Sequence, residues 1–297
     1  MKMIRALKSG ALRALKAWKG ILIVWFIYLL LVSLVALPVR GALKDGFGQS
    51  MITELLRDGI NVEVFSDLGS ILKNLISYFS SGLLLLLLLG IPMNAFLTGG
   101  LFNSLKGTAE KFSTPEFFRT SARNFWSFLV ITLIINVLVI FLVFFIGGIP
   151  AAISMQFLTD HGKTPFLIIK VAEIILLSVI FTLILVADYA RAWQVARERS
   201  ACFKALGFGF NRTFRTFMSS FPMMLMLLLV QVLFAWLVLK ILGSWKPSTG
   251  GGIFLLFLLS QLLFIIRILL KTWRYASVTS LKEKHDLLTD PLDNSKI

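Results

Sequence analysis

Apolar residues gather in six long stretches, at 18–38, 77–100, 125–148, 166–188, 219–242 and 253–271, and charged residues concentrate in the pieces between them. A helix crosses a hydrocarbon core of about 30 Å with roughly 20 apolar residues, and each stretch is of that order. The runs Leu83–Leu89 and Phe141–Phe145 leave no polar face for a soluble helix to turn toward water. The ten-residue alternation of membrane β-barrel strands is absent. The pattern predicts an all-α, polytopic bundle of six transmembrane helices.

Ahead of three stretches the pattern changes character. Arg13, Arg123 and Arg212 each have apolar residues six positions before, two after and five after. These are Leu7, Leu15 and Trp18, then Phe117, Phe125 and Phe128, then Leu206, Phe214 and Phe217. At about 100° per residue the three offsets share one stripe and the arginine lies outside it, as in an amphipathic helix on a membrane surface. Arg13, Trp18, Arg123 and Arg212 are therefore candidate contacts to lipid headgroups.

Composition agrees with a membrane protein: 57% of the 297 residues are hydrophobic and 15% charged. The net charge of +15 matters mainly through its distribution. Of the 30 Lys and Arg, 22 lie in the pieces 1–19, 99–124, 188–216 and 267–297. Under the positive-inside rule those pieces, and hence both termini, are expected in the cytoplasm of a bacterial inner membrane. Basic residues beside spans attract anionic headgroups by about 1 kcal/mol each, so membrane lipid, not nucleic acid, is the expected partner. The first apolar run, behind its basic front, lacks a small-residue cleavage site and is expected to stay as a helix. Cys202 is the single cysteine, which excludes a disulfide framework and a multi-cysteine metal site.

The three basic frames divide the chain into three hairpins, each with a surface helix, two spans and a charged exit. The exits read LTGGLFNSLKGTAEK, ADYARAWQVARER and LLKTWRYASVTSLKEK. Hairpins that start and end on one side would form parallel repeats; duplication and convergence on the needs of a membrane hairpin both produce this pattern. The stretches GGLFNSLKG, TPEFFRTSARNFW and VADYARAWQVARERSACFKALGFGF cover about a quarter of the chain. In them the chain resembles uncharacterised bacterial six-helix integral membrane proteins and, more distantly, the membrane domain attached to some glycerophosphodiester phosphodiesterases. That resemblance implies a helical membrane bundle and no established activity. A single transmembrane domain is expected over 1–284, with a disordered cytoplasmic tail over 285–297. The extracytoplasmic link 39–77 holds Met51, Ile52, Leu55 and Leu56 at helical spacing, then Ile60, Val62 and Val64 in alternation, then Ser66 and Asp67 as a cap. It is expected to cover the bundle, to bind a partner or to gate.

Catalytic chemistry has little to draw on. His161 and His285 fall on opposite sides of the expected topology, and no nucleophile-elbow, zinc-helix or phosphate-loop motif occurs. No cofactor or metal is expected, and no enzymatic activity. Polar residues within spans carry more information, because each is costly in lipid unless paired. Asn94 follows Pro92, Asn136, Gln231 and Gln261 lie mid-span, and Asp188 ends the fourth span. Either they bond helices together one by one, or they line one polar site. Asp188 can pair with Arg191 one turn on or, if the fourth and sixth spans meet, with the stripe Arg267, Lys271 and Arg274. These basic residues are the other candidate headgroup contacts. The expected function is a scaffold or accessory component engaging anionic lipid or a membrane-protein partner; the alternative is a transporter or lipid-handling permease. The oligomeric state stays open.

Overall fold

The computed structural model describes residues 2–47, 69–106, 112–150, 152, 164–197, 201–245, 247 and 249–289. Their regular structure is helical: α1 (Lys2–Lys16), α2 (Trp18–Phe47), α3 (Gly69–Ser104), α4 (Thr114–Leu142), α5 (Thr164–Arg197), α6 (Cys202–Arg215), α7 (Phe217–Ser244) and α8 (Gly250–Thr289). A π-helical segment, Val143–Gly148, continues α4 toward Pro150, as π-turns commonly do where a long helix loses its regular ladder. Among the described residues, six helices contain segments long and apolar enough to cross a membrane: Trp18–Gly41, Ile76–Ser104, Thr114–Gly148, Leu167–Arg197, Phe217–Ser244 and Gly250–Asp286. They coincide with the six stretches read from the sequence. The chain is an all-α polytopic bundle.

The motifs expected between residues 51 and 67 lie outside the described residues. At the other end α8 runs on to Thr289, so the first five residues of the expected tail are helical and 290–297 lie outside the described set.

Two compact units can be distinguished, Met1–Leu22 with Ala95–Ile297, and Ile23–Asn94. The smaller comprises the later part of α2 and the earlier part of α3. Both helices carry an internal proline, Pro38 and Pro92. Within this unit Gly82 faces Val35, and the Tyr28 hydroxyl donates to Asn94 Oδ1 at 3.3 Å.

In the larger unit, the element that leads into each hairpin packs on the exit of the hairpin before it. The start of α4 lies on the end of α3, where Phe102 meets Phe128 edge to face at 6.1 Å and Phe96 meets Phe118 at 6.3 Å. α6 lies on the end of α5: a side chain at Gly209 would stand 2.5 Å from the Val186 carbonyl. α1 packs instead on the exit of the last hairpin, α8. There a side chain at Gly10 would stand 2.8 Å from the backbone nitrogen of Ser277. Glycine at these two crossings lets backbones touch, the packing typical of membrane helices.

The three lead-ins differ from one another. Only α1 and α6 are separate helices; the second frame lies within an unbroken α4 that starts after extended Ser113, with Pro115 in its first turn. α1 meets α2 at Ala17 and α6 meets α7 at Thr216, where backbone bonds such as Thr216 N–H to Arg212 O (3.0 Å) carry the ladder through the bend. The apolar frame divides as well. Leu7, Phe117, Phe128 and Leu206 are buried, Phe125 and Phe217 half-buried, and Leu15, Trp18 and Phe214 exposed. The inward faces of α1 and α6 are instead small: Ala6, Gly10, Ala14 and Ala17, and Ala205, Gly209 and Thr213.

At 40 residues α8 is about 60 Å long, twice the hydrocarbon thickness. Its last turns therefore stand beyond an apolar core that begins near Gly250. Tyr275 through Lys282 are buried on every side of the helix, with Tyr275 stacked on Phe102 at 4.7 Å. Around this pillar cluster Ala14, Leu105, Phe128 and Val195, and beside them Leu7, Leu185, Tyr189 and Met223.

Candidate functional site

The end of the larger unit where lead-ins and exits converge, its basic end, holds a buried charged cluster. Asp188, fully buried on α5, is the acid at its centre. Arg274 of α8 brings Nε to 2.9 Å from Asp188 Oδ2, an ion pair without an aligned hydrogen bond. Arg191, one turn beyond Asp188, places Nη1 3.5 Å from Oδ1. Its Nη2 donates to Thr132 Oγ1 on α4 at 2.9 Å, and that hydroxyl donates in turn to Phe128 O at 2.7 Å. One carboxylate thus ties three helices together. Tyr275 lies beneath two cations, with Lys271 and Arg274 at 5.8 and 5.2 Å from its ring.

Two guanidiniums around one carboxylate leave the cluster positive. Breaking such a buried set by removing one partner typically costs about 3–5 kcal/mol, because the remaining charge has neither water nor counter-ion. Arg191 Nε and both amide atoms of Gln194 are also buried without a hydrogen-bond partner among the described residues.

The far end of α8 forms a second set of ties. Glu283 Oε2 lies 2.7 Å from Arg13 Nη1, which also donates to Leu105 O at 3.2 Å. Asp286 pairs with Arg212 of α6 and, at 3.1 Å, with Lys282. Trp273 Nε1 donates to Leu7 O at 2.9 Å, and the hydroxyls of Ser9 and Ser280 are 2.6 Å apart. On α7 the Ser220 hydroxyl meets the Tyr189 hydroxyl of α5 at 2.7 Å. The pillar is thereby fastened to both separate lead-in helices.

The residues singled out from sequence fall into three groups. Asp188, Arg191, Lys271 and Arg274 come together in the charged cluster, as expected if the fourth and sixth spans meet. Arg13 and Arg212 point inward to acids of α8, while Trp18, Arg123 and Arg267 are exposed. The intramembrane amides are dispersed. Asn94 accepts from Tyr28, Gln231 Nε2 donates to Leu270 O at 3.4 Å, Gln261 is half-buried on α8, and Asn136 is exposed. Gln261 stands nine residues from Leu270, about 13 Å along the helix, so the two glutamines act at different depths.

Sequence reading missed Thr132, Trp273, Glu283 and Asp286. A helical signal for two of them existed. Trp273, Ala276, Ser277, Ser280 and Glu283 repeat at three- and four-residue spacing, so the 3.6-residue period runs unbroken through the stretch that looked like a solvated exit.

No family model, curated protein or solved structure matches the chain. Fold and composition define its class, a multi-pass integral membrane protein with six candidate spans.

Proposed function

We propose that this protein is a non-enzymatic scaffold or accessory component of a bacterial inner membrane, with both termini in the cytoplasm, and that its basic end engages anionic lipid headgroups. The outward faces of α1 and α6 carry this reading. Their inward faces are occupied by α8 and α5, yet α1 presents Ile4 and Leu15 outward with Trp18 exposed at the start of α2, and α6 presents Phe203 and Phe214 with Met218 exposed at the start of α7, Phe214 and Met218 being 63% and 88% exposed. Lys8, Lys16, Lys19, Lys204 and Arg215 stand exposed beside them. Large apolar side chains flanked by lysine and arginine suit a helix seated at the headgroup boundary, with cations held to anionic lipid.

Dispersal of the intramembrane amides favours this reading over transport, which calls for polar groups around one shared path. Asp188, the acid at the centre of the cluster, is committed to two guanidiniums.

Replacing Lys8, Lys16, Lys19, Lys204 and Arg215 by glutamine should lower the anionic lipid retained on the purified protein, measured by mass spectrometry of co-purifying lipid. Arg13→Gln with Arg212→Gln should leave lipid retention near wild type and reduce thermal stability instead, since those guanidiniums are turned to Glu283 and Asp286. Unchanged lipid retention in the five-site variant would count against the proposal.

A further inference from the structure

Asn136 is the one amide in the middle of a span for which the described residues supply no partner. Gln231 reaches Leu270 O, Asn94 accepts from Tyr28, and Gln261 is also engaged. Asn136 is exposed and has no hydrogen bond among the described residues. It lies 11 residues from Phe125 and 12 from Gly148 along α4 and its π-helical continuation, about 16 Å from either end of the apolar stretch. Neither headgroups nor water reach that depth, and lipid tails offer no donor or acceptor.

The surrounding face is apolar and exposed: Leu133, Val137, Ile140 and Phe144 lie within about 100° of Asn136 around the helix. We infer that this face of α4 packs against the same face of a second copy of the chain, the two Asn136 side chains bonding to each other across the twofold axis. The chemistry of the amide selects that occupant. A carboxamide carries two donors and a two-lone-pair acceptor, so it is complementary to itself. Two copies inserted with the same orientation are related by an axis along the membrane normal, which brings residue 136 of each to the same depth. Leu133, Val137 and Ile140 then supply the van der Waals contact around the pair.

Disulfide trapping and self-association in vesicles test this with the full chain. In a Cys202→Ser background, oxidation of Asn136→Cys in native membranes should give a disulfide-linked species of twice the chain mass. Leu229→Cys, exposed on α7, should give little. In phosphatidylcholine vesicles, single-molecule photobleaching should show Asn136→Leu weakening self-association about tenfold, as expected for losing a pair of interhelical hydrogen bonds. Asn136→Gln, which keeps the amide, should retain self-association, and Gln231→Leu, which removes an amide already bonded within the chain, should leave it unchanged. Wild-type self-association in Asn136→Leu would overturn the inference. So would trapping of Asn136→Cys only to a polypeptide of a different mass.

Discussion

The two ends of α8 differ sharply. From Gly250 to Leu262 the side chains are mostly exposed and nearly all apolar; from Tyr275 to Lys282 every side chain is buried, and half are polar or charged. The same contrast holds in α5 of the larger unit between Leu167–Leu177 and Leu183–Val195. It holds more weakly between Val137–Phe145, along α4 and its π-helical continuation, and Phe117–Ile131, where one side is buried and Phe118, Arg123 and Trp126 are exposed. In a soluble protein the apolar half would be the core. Here lipid tails solvate leucine as well as another leucine does, so little drives those turns together. Packing specificity concentrates where backbones approach closely at Gly10 and Gly209, and where charges must be paired. The basic end therefore determines which helix neighbours which, while the apolar half chiefly places the helices in the bilayer.

Mutations at the two levels should separate accordingly. Asp188→Leu leaves the Arg191 and Arg274 guanidiniums without a counter-charge and should cost about 3–5 kcal/mol, read as a large drop in unfolding temperature in detergent. Adding Arg274→Leu should restore part of the loss, since a smaller uncompensated charge then remains. A milder pair compares one residue type in both environments. Leu185→Ala, in the packed cluster beside Tyr189 and Met223, should cost about 2–3 kcal/mol through the cavity it opens. Leu229→Ala, exposed on α7, should change stability by less than about 0.5 kcal/mol. Equal losses at the two leucines would erase the distinction between the ends.

The apolar half was legible in the sequence because span length and hydropathy are local properties. The basic end was legible only in part. Asp188 with Arg191 followed from spacing on one helix, and Arg274 followed once the fourth and sixth spans were allowed to meet. Thr132, Glu283 and Asp286 were not, since their partners lie 59, 270 and 74 residues away. Positive charge near a span reads the same whether the guanidinium is exposed, as that of Arg215 is, or turned to a half-buried acid, as that of Arg212 is. The repeated frame misled for a related reason. Its large apolar residues mark the amphipathic stripe, but small residues mark the face that packs, and Ala6, Gly10 and Ala14 carried that information for α1.

Hydrogen–deuterium exchange of the C-terminal part of α8 in the purified full chain tests the central claim most directly. A pillar packed against α1, α5, α7 and the end of α3 should show backbone amides at Tyr275–Lys282 exchanging as slowly as those in the middle of the spans. Exchange of that stretch within seconds, at the rate of a solvated tail, would contradict the assignment of the basic end as the part that specifies the fold.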